Sequence, residues 1–302
     1  MGKLLSIYSR IVMKIFTQLK RLLGRILAKY VPGLYRRIQY KRMYGKWLNL
    51  HHPKTFHEKI YWLEKNTDTS EWTRLTDKVT VRDYVKECGL EDILNEVYAV
   101  YDTPEEVNFD TLPNSFVMKL NNGGGGAVHI VKDKNGINRQ ELLRQLSMEF
   151  KHNYGVYTAQ KHYQRIVPRI IVEKLLVENN DPSQPITDYK FYCFHGEPKY
   201  IQRISGRDFK THIAKKSFFD MNWKWIPLLE EESTPGIHKP FMLEKMIAIS
   251  KILSKPFPFV RVDLYLIENK IIFGEMTFTP GQSETGYYYK LNSGRLGDLI
   301  HL

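Results

Sequence analysis

The chain is expected to be α+β, with mostly antiparallel sheets arranged in lobes. Three times, alternating segments rich in β-branched and aromatic residues flank a short turn signal. These are 115–120 and 127–132 around a glycine run, 188–194 and 199–205 around His195-Gly196-Glu197-Pro198, and 259–267 and 271–279 around Glu268-Asn269-Lys270. Amphipathic helical patterns at 71–88, 139–152 and 240–255 are interleaved with them. Strands joined by such short turns pair antiparallel, because a parallel neighbour requires a long crossover. At 302 residues and 42% hydrophobic content, there is material for two packed lobes or one large domain.

The first element is a helix. Leu4, Tyr8, Ile11, Ile15, Leu19, Leu22, Ile26 and Tyr30 recur at three- and four-residue steps, giving an apolar stripe about 40 Å long. Lys3, Arg10, Lys14, Lys20, Arg21, Arg25 and Lys29 border it, and Pro32-Gly33 is expected to end it. This is the pattern of a helix lying on an anionic membrane surface through residues 3–30. A helix packed on the body, or a self-associating pair, fits the same stripe. Cations interrupt every apolar stretch, so neither a membrane span nor a signal peptide is expected. Residues 1–50 hold twelve Lys and Arg and no Asp or Glu, leaving 33 basic and 33 acidic residues beyond them. A net charge of +12 concentrated at one end, on an otherwise neutral body, argues against a nucleic-acid partner.

A basic connector, 34–46, leads into the body. His51, His52 and His57 match no familiar ligand spacing and read as surface or packing residues. Residues 71–88 are expected to form one helix carrying Asp77-Lys78 and stopped by Gly89. Strands at 93–101, 115–120 and 127–132, the turn 133–136, a helix at 139–152 and a strand at 169–177 follow. Pro240 opens the last helix. Two cysteines, Cys88 and Cys193, are too few for a disulfide framework or a zinc site and indicate a reducing compartment. Trp223 and Trp225 are read as packing residues rather than a sugar platform. The expected division is 1–46 helix and connector, 47–110 entry region, 111–178 lobe with the glycine loop, and 179–302 lobe with the last hairpin.

Two features carry chemistry. Gly123, Gly124, Gly125 and Gly126 lie between two strands, where residues lacking Cβ let backbone N–H groups approach an anion, with Lys119 on the preceding strand as a point charge. In the last hairpin, a three-residue loop 268–270 with Asn269 at positive φ pairs 267 with 271, 265 with 273 and 263 with 275. Asp263 and Glu275 then face each other about 4.5–5.5 Å apart at Cβ, an unfavourable like-charge pair unless a hard cation joins them. Arg261 and Thr277 share that face. A two-residue loop, or a bulge, would turn the two carboxylates to opposite faces.

Asp77-Lys78, Phe116-Val-Met-Lys119 before the glycines, Ile171-Val-Glu-Lys-Leu175 and Arg261-Val-Asp263 followed by Gly274-Glu-Met-Thr-Phe278 resemble the ATP-grasp superfamily in order and spacing. Lys54-Thr-Phe-His-Glu-Lys59, Asp188-Tyr-Lys-Phe-Tyr-Cys-Phe-His-Gly196 and Phe273-Gly-Glu-Met-Thr-Phe-Thr-Pro-Gly281 resemble its TupA-like branch. That branch is found with teichuronopeptide, capsule and other surface-polysaccharide biosynthesis. The resemblance runs from about residue 45 to the end. It implies a two-lobed ATP-grasp fold, ATP between the lobes, and Mg²⁺ on Asp263 and Glu275, with Thr277 where many relatives have Asn. It implies phosphate or adenine contacts from Lys119 and Lys174, and a further contact from Lys78. It also implies an adenine edge at Glu173 to Leu175, nucleotide-lining Asp188 and Lys190, and charge stabilisation of the transferring phosphoryl group by Arg261.

The reaction so implied is carboxylate–amine ligation through an acyl phosphate. Its expected acceptor is a glycan or small molecule, such as a uronic acid of a surface polysaccharide or its lipid-linked precursor. The expected location is cytoplasmic, peripheral on the inner face of the membrane, in reach of polysaccharide-assembly enzymes. A kinase acting on a glycan hydroxyl and a non-catalytic assembly adaptor are the rival readings.

Overall fold

The computed structural model describes residues 2–123, 128–152, 154–178, 181, 184–207, 214–226, 236–281 and 293–302. It has two antiparallel sheets. The smaller is ordered β1-β4-β2-β3, from Val97–Tyr101 (β1), Phe116–Leu120 (β2), Val128–Val131 (β3) and Ile170–Glu173 (β4). The larger is ordered β10-β9-β5-β6-β7-β8. Its strands are Asp188–Phe194 (β5), Glu197–Ser205 (β6), Lys215–Phe219 (β7), Trp225–Ile226 (β8), Phe259–Ile267 (β9) and Lys270–Thr277 (β10). The α+β, antiparallel expectation therefore holds, and strands β7 and β8 are additional to it.

The N-terminal segment forms two helices, Gly2–Tyr30 (α1) and Pro32–Tyr44 (α2). Pro32 ends the first by opening the second, since proline at a helix start loses no hydrogen bond. The stretch expected as a connector is thus helical, closed by Gly45 at φ 69. Tyr40, buried with Leu48 and Tyr61, anchors α2 to the body. Along α1, Val12, Met13, Phe16, Leu19, Leu22, Leu23 and Ile26 are exposed. No helix among the described residues is long and apolar enough to cross a membrane.

Phe56–Asn66 (α3) begins at a capping box in which Thr55 accepts from the Glu58 amide while Glu58 accepts from the amides of Thr55 and Lys54. The expected 71–88 helix is two, Ser70–Thr76 (α4) and Val81–Glu87 (α5), with Gly89 at φ 73 after the second. They are interrupted at Asp77-Lys78, where the Asp77 side chain accepts from the Val79 amide and the Lys78 amide donates to Asn121 O. The interruption projects the Lys78 side chain toward the glycine loop. Arg139–Phe150 (α6) covers the small sheet with Leu142 and Leu146. Short helices Tyr154–Thr158 (α7) and Lys161–Gln164 (α8) follow. Leu243–Ser254 (α9) starts three residues after Pro240. Together with α3, α4 and α5 it packs the large sheet through Phe56, Leu75, Leu253, Phe259 and Val262. Ser293–Asp298 (α10) ends the fold. Trp223 stacks on Phe219 at 4.0 Å and donates its indole N–H to Ile237 O, a packing role.

The last hairpin differs from expectation in two places that cancel. Its loop has two residues, with Glu268 rather than Asn269 at positive φ (43°), so 267 pairs with 270 and 264 with 273. A bulge at Gly274 then adds one residue to β10, and Glu275 pairs with Asp263 after all. A Cβ on residue 274 would lie 2.9 Å from the Asp263 carbonyl, so this bulge accepts only glycine.

Candidate active site

Three neighbouring strands set one charged row. In register, Glu275 on β10 faces Asp263 on β9, and Asp263 faces Lys190 on β5. Arg261 and Thr277 form the next pair, and Asp188 lies one pleat from Lys190. Arg261 is the hub. Its Nε donates to Asp263 Oδ1 at 2.6 Å, and its Nη2 meets Asp263 Oδ2 at 2.7 Å, Glu275 Oε1 at 2.8 Å and Thr277 Oγ1 at 3.0 Å. Thr277 Oγ1 donates in turn to Glu275 Oε1 at 3.1 Å. Lys190 Nζ bonds Asp263 Oδ2 and lies 3.1 Å from Asp188, which also meets Arg207 at 3.3 Å.

Three carboxylates within one buried patch are an electrostatic load that only cations can offset. The Asp263 side chain is 1% exposed and that of Glu275 36%. Burial pushes the Asp263 carboxyl up; Arg261 and Lys190 pull it back, while Glu275 and Asp188 add to the rise. For Glu275, burial is outweighed by the charges of Lys78, Arg261 and Lys190 together with the Thr277 hydrogen bond, which hold it at about 2. Lys190 stays above its ordinary value because Asp188 and Asp263 overcome the effect of burial.

A second cluster belongs to the small sheet. Lys119 Nζ meets Glu173 Oε2 at 2.6 Å, and Arg82 lies 3.9 Å from the other oxygen of Glu173. Lys78 links the two clusters. Its Nζ donates to Gly123 O at 2.7 Å, and its ammonium, pulled down by burial, is supported by Glu275 and Glu173 and opposed by Lys119.

Among the residues expected from sequence, Arg261, Asp263, Glu275, Thr277, Asp188 and Lys190 thus converge on one point, with Lys78, Lys119, Glu173 and Gly123 beside them. Lys174 is not brought in. Its ammonium pairs with Glu96 at 3.5 Å on the exposed surface, and its backbone N–H and C=O are bound to Glu96 and Asn95. Leu175 is half-buried beyond the end of β4. Gly124, Gly125 and Gly126 lie outside the described residues. Of the three histidines near the body's start, His57 is buried and bonded to the Tyr44 hydroxyl, a packing role. Sequence reading missed Arg207, for which no local signal exists. It also missed the Glu173 side chain as the anion opposite Lys119, although their placement on adjacent strands follows from pairing β2 with β4.

The donor set fits a hard divalent cation. Oxygens of Asp263, Glu275 and Thr277 all lie within 3.0 Å of one atom, Arg261 Nη2, so they already converge on a single positive charge. No group of three or more His, Cys, Asp or Glu that could hold a metal occurs among the described residues. Two carboxylates and a hydroxyl are sparse protein coordination of the kind that suits Mg²⁺ bound together with phosphate.

Two antiparallel sheets carry the charged residues, the Asp263–Glu275 hairpin on one and Lys119 with Glu173 on the other. A sequence model described as TupA-like ATPgrasp matches residues 58–301, and the chain belongs to that family. Membership makes it an ATP-grasp enzyme, a class whose cofactors are ATP and Mg²⁺. No curated protein matches the chain in sequence. Similar solved structures include a D-alanine–D-alanine ligase from Bacillus anthracis complexed with ATP, at 17% identity and TM-score 0.44 over 75% of this chain. Another is a D-alanine–D-alanine ligase from Helicobacter pylori, at 15% identity and TM-score 0.47 over 81% of this chain and 69% of that one. A third is the VanG D-Ala:D-Ser ligase from Enterococcus faecalis, at 17% identity and TM-score 0.47 over 77% of this chain. The chain spans 63% of the Bacillus anthracis protein and 62% of the Enterococcus faecalis one.

Proposed function

We propose that the chain is an ATP- and Mg²⁺-dependent carboxylate–amine ligase. The acceptor of the proposed reaction is a surface polysaccharide or its lipid-linked precursor, in which a uronic acid is joined to an amino acid. A carboxylate oxygen of the acceptor attacks the γ-phosphorus of ATP, the bond to the β–γ bridging oxygen breaks, and ADP leaves. The amine then attacks the acyl phosphate carbonyl, the C–O bond to phosphate breaks, and the nitrogen loses a proton. The products are an amide, ADP and inorganic phosphate. Such chemistry needs positioning and charge neutralisation more than covalent participation by the protein. Asp263 and Glu275, aided by Thr277, would hold Mg²⁺, which supplies charge neutralisation on the phosphates when bound. Arg261, released from these oxygens, is placed to meet the transferring phosphoryl group. Lys119 and Lys78 would meet phosphate oxygens, and Lys190 pulls the Asp263 carboxyl back against the rise that burial causes. The exposed apolar face of α1, flanked by Lys and Arg, supports attachment to an anionic membrane surface, where a lipid-linked acceptor resides.

The convergence of Asp263, Glu275 and Thr277 oxygens on one cationic atom carries this reading. It is tested by measuring ADP and phosphate release with glycan carboxylates plus amino acids, for wild type, Asp263→Asn and Glu275→Gln. Each variant is expected to lower turnover on the order of 10²–10³-fold. Release of ADP without phosphate, with a phosphorylated product, identifies a kinase instead. Turnover that persists without Mg²⁺ refutes both readings.

A further inference from the structure

Where α2 meets the body there is a cavity of about 900 Å³, walled by α2, the 47–51 segment, α3 and residues 159–161. We propose that it is a second binding site, for an anionic saccharide: a sugar carrying a phosphate or a carboxylate. The proposal concerns residues distinct from the cleft and does not rest on the ligase reading, although the acceptor proposed above belongs to the same chemical class.

Volume comes first. Cavities of roughly 300–1,000 Å³ are the size that holds small ligands. Charge comes second. Arg36, Arg37, Lys65 and Lys161 line the cavity against one carboxylate, Glu64. That carboxylate is already committed, because Glu64 pairs with Arg36 at 2.5 Å and accepts the Lys161 amide at 3.0 Å. Arg37, Lys65 and Lys161 are exposed at the cavity and have no carboxylate of their own among its lining residues. Within the wall, buried Arg36 Nε has no hydrogen-bond partner among the described residues, although the same guanidinium also donates to Ala159 O. Aromatic surface comes third. Trp47 is 57% exposed while lining the cavity, and Lys41 sits 4.2 Å over its ring, so a cation accompanies the flat face that a pyranose would stack on.

Occupancy of this cavity has a short route to the cleft. Gln160, next to Lys161, donates to Thr279 Oγ1 at 2.9 Å, two residues past Thr277. Buried His162 lies 3.7 Å from Glu64 on one side and 3.4 Å from Thr279 on the other.

Calorimetry on the full chain with glucose 1-phosphate and glucuronate, and with glucose, inorganic phosphate and ADP as controls, tests the proposal. Saturable binding of the two anionic sugars is expected. It should weaken at least tenfold in Arg37→Ala/Lys65→Ala and in Trp47→Ala, three exposed positions whose change leaves the buried core intact. Mg-ATP binding measured on the same variants is expected to match wild type, which reports folding and separates this proposal from the fate of the cleft. Absence of saturable binding overturns it. So does binding of both sugars that both variants retain. Trp47-dependent binding of glucose or ADP as tight as that of glucose 1-phosphate also overturns it, because charge and sugar would then not be read together.

Discussion

Two of the buried charge networks among the described residues differ in how their carboxylates and cations are matched, and the difference separates a candidate reactive site from a structural joint. In the cleft, Asp188, Asp263 and Glu275 crowd within hydrogen-bond reach of Arg261 and Lys190, so like charges on adjacent strands are held together by bridging cations. At the α2 joint, a single carboxylate, Glu64, meets a single guanidinium, Arg36, beside a buried imidazole, His162. Burial of an ion pair is common to both and indicates little by itself. The cleft is set apart by a surplus of oxygens converging on one point, the arrangement expected of a site that receives a cation. The joint network, by contrast, ties α2 to α3 and α8.

The comparison breaks most severely at Gly274. A side chain there meets the Asp263 carbonyl at 2.9 Å, so Gly274→Val cannot keep the bulge. Relief by a one-residue slip turns Glu275 away from Asp263 and removes the second carboxylate proposed to hold Mg²⁺. The expected result is loss of more than 100-fold in ATP-dependent turnover and a destabilisation of about 1–3 kcal/mol. Turnover and denaturant melts on the same preparation check it. Near-wild-type turnover would show that the register does not organise the site.

That bulge also shows what sequence made legible. Strand pairing, the antiparallel class and the opposition of Asp263 to Glu275 were readable from alternation, because burial of one face fixes side-chain parity. The route to that opposition was not readable. A two-residue loop and a bulge each reverse parity, and a sequence with Asn269 and Gly274 permits either device alone, both, or neither. The break between α4 and α5 was hidden for a related reason: residues 71–88 keep helical periodicity through Asp77-Lys78, and only the tertiary contact of Lys78 with residues 121–123 selects the interruption. Helix α2 was obscured because Pro32-Gly33 reads equally as an end and as a beginning. Lys174 matched its motif by position, yet its orientation depends on Glu96, a residue remote in sequence that no local pattern connects to it.

Acid is expected to act first on the joint. Burial holds His57, bonded to Tyr44 of α2, neutral and lowers it from 6.5 to about 4. For Glu64, burial is outweighed by Arg36 and by hydrogen bonds from His162 and Arg36, which bring it from 4.5 to about 2. Both groups have folded values below their unfolded ones, so the folded chain binds fewer protons. Their stabilisation is present above the unfolded values and is lost as pH falls, between about 6.5 and 4 for His57 and between about 4.5 and 2 for Glu64. His57 alone accounts for a loss on the order of 3 kcal/mol by pH 4. Denaturant unfolding from pH 7 to pH 4 should show that decline. His57→Gln should flatten it over the upper part of the window, and a decline unchanged in that variant would remove His57 from the joint's acid response.

The smallest effect is expected where the two sheets communicate. Lys78 is half-buried between the clusters; its ammonium donates to Gly123 O and lowers the Glu275 carboxyl through space. Lys78→Met removes a charge that burial already disfavours, so global stability should change little. The variant leaves the Gly123 carbonyl without this donor and lets Glu275 rise, while leaving Asp263 and Arg261 in place. One charge-assisted hydrogen bond of about 1.5–3 kcal/mol, partly replaced by water, corresponds to a rise of roughly 5- to 20-fold in KM for ATP, with kcat held within about threefold. Steady-state kinetics with varied ATP at saturating Mg²⁺ separates the two parameters. A fall in kcat alone would place Lys78 against the transferring phosphoryl group, inside the reacting cluster, rather than at the Gly123 carbonyl.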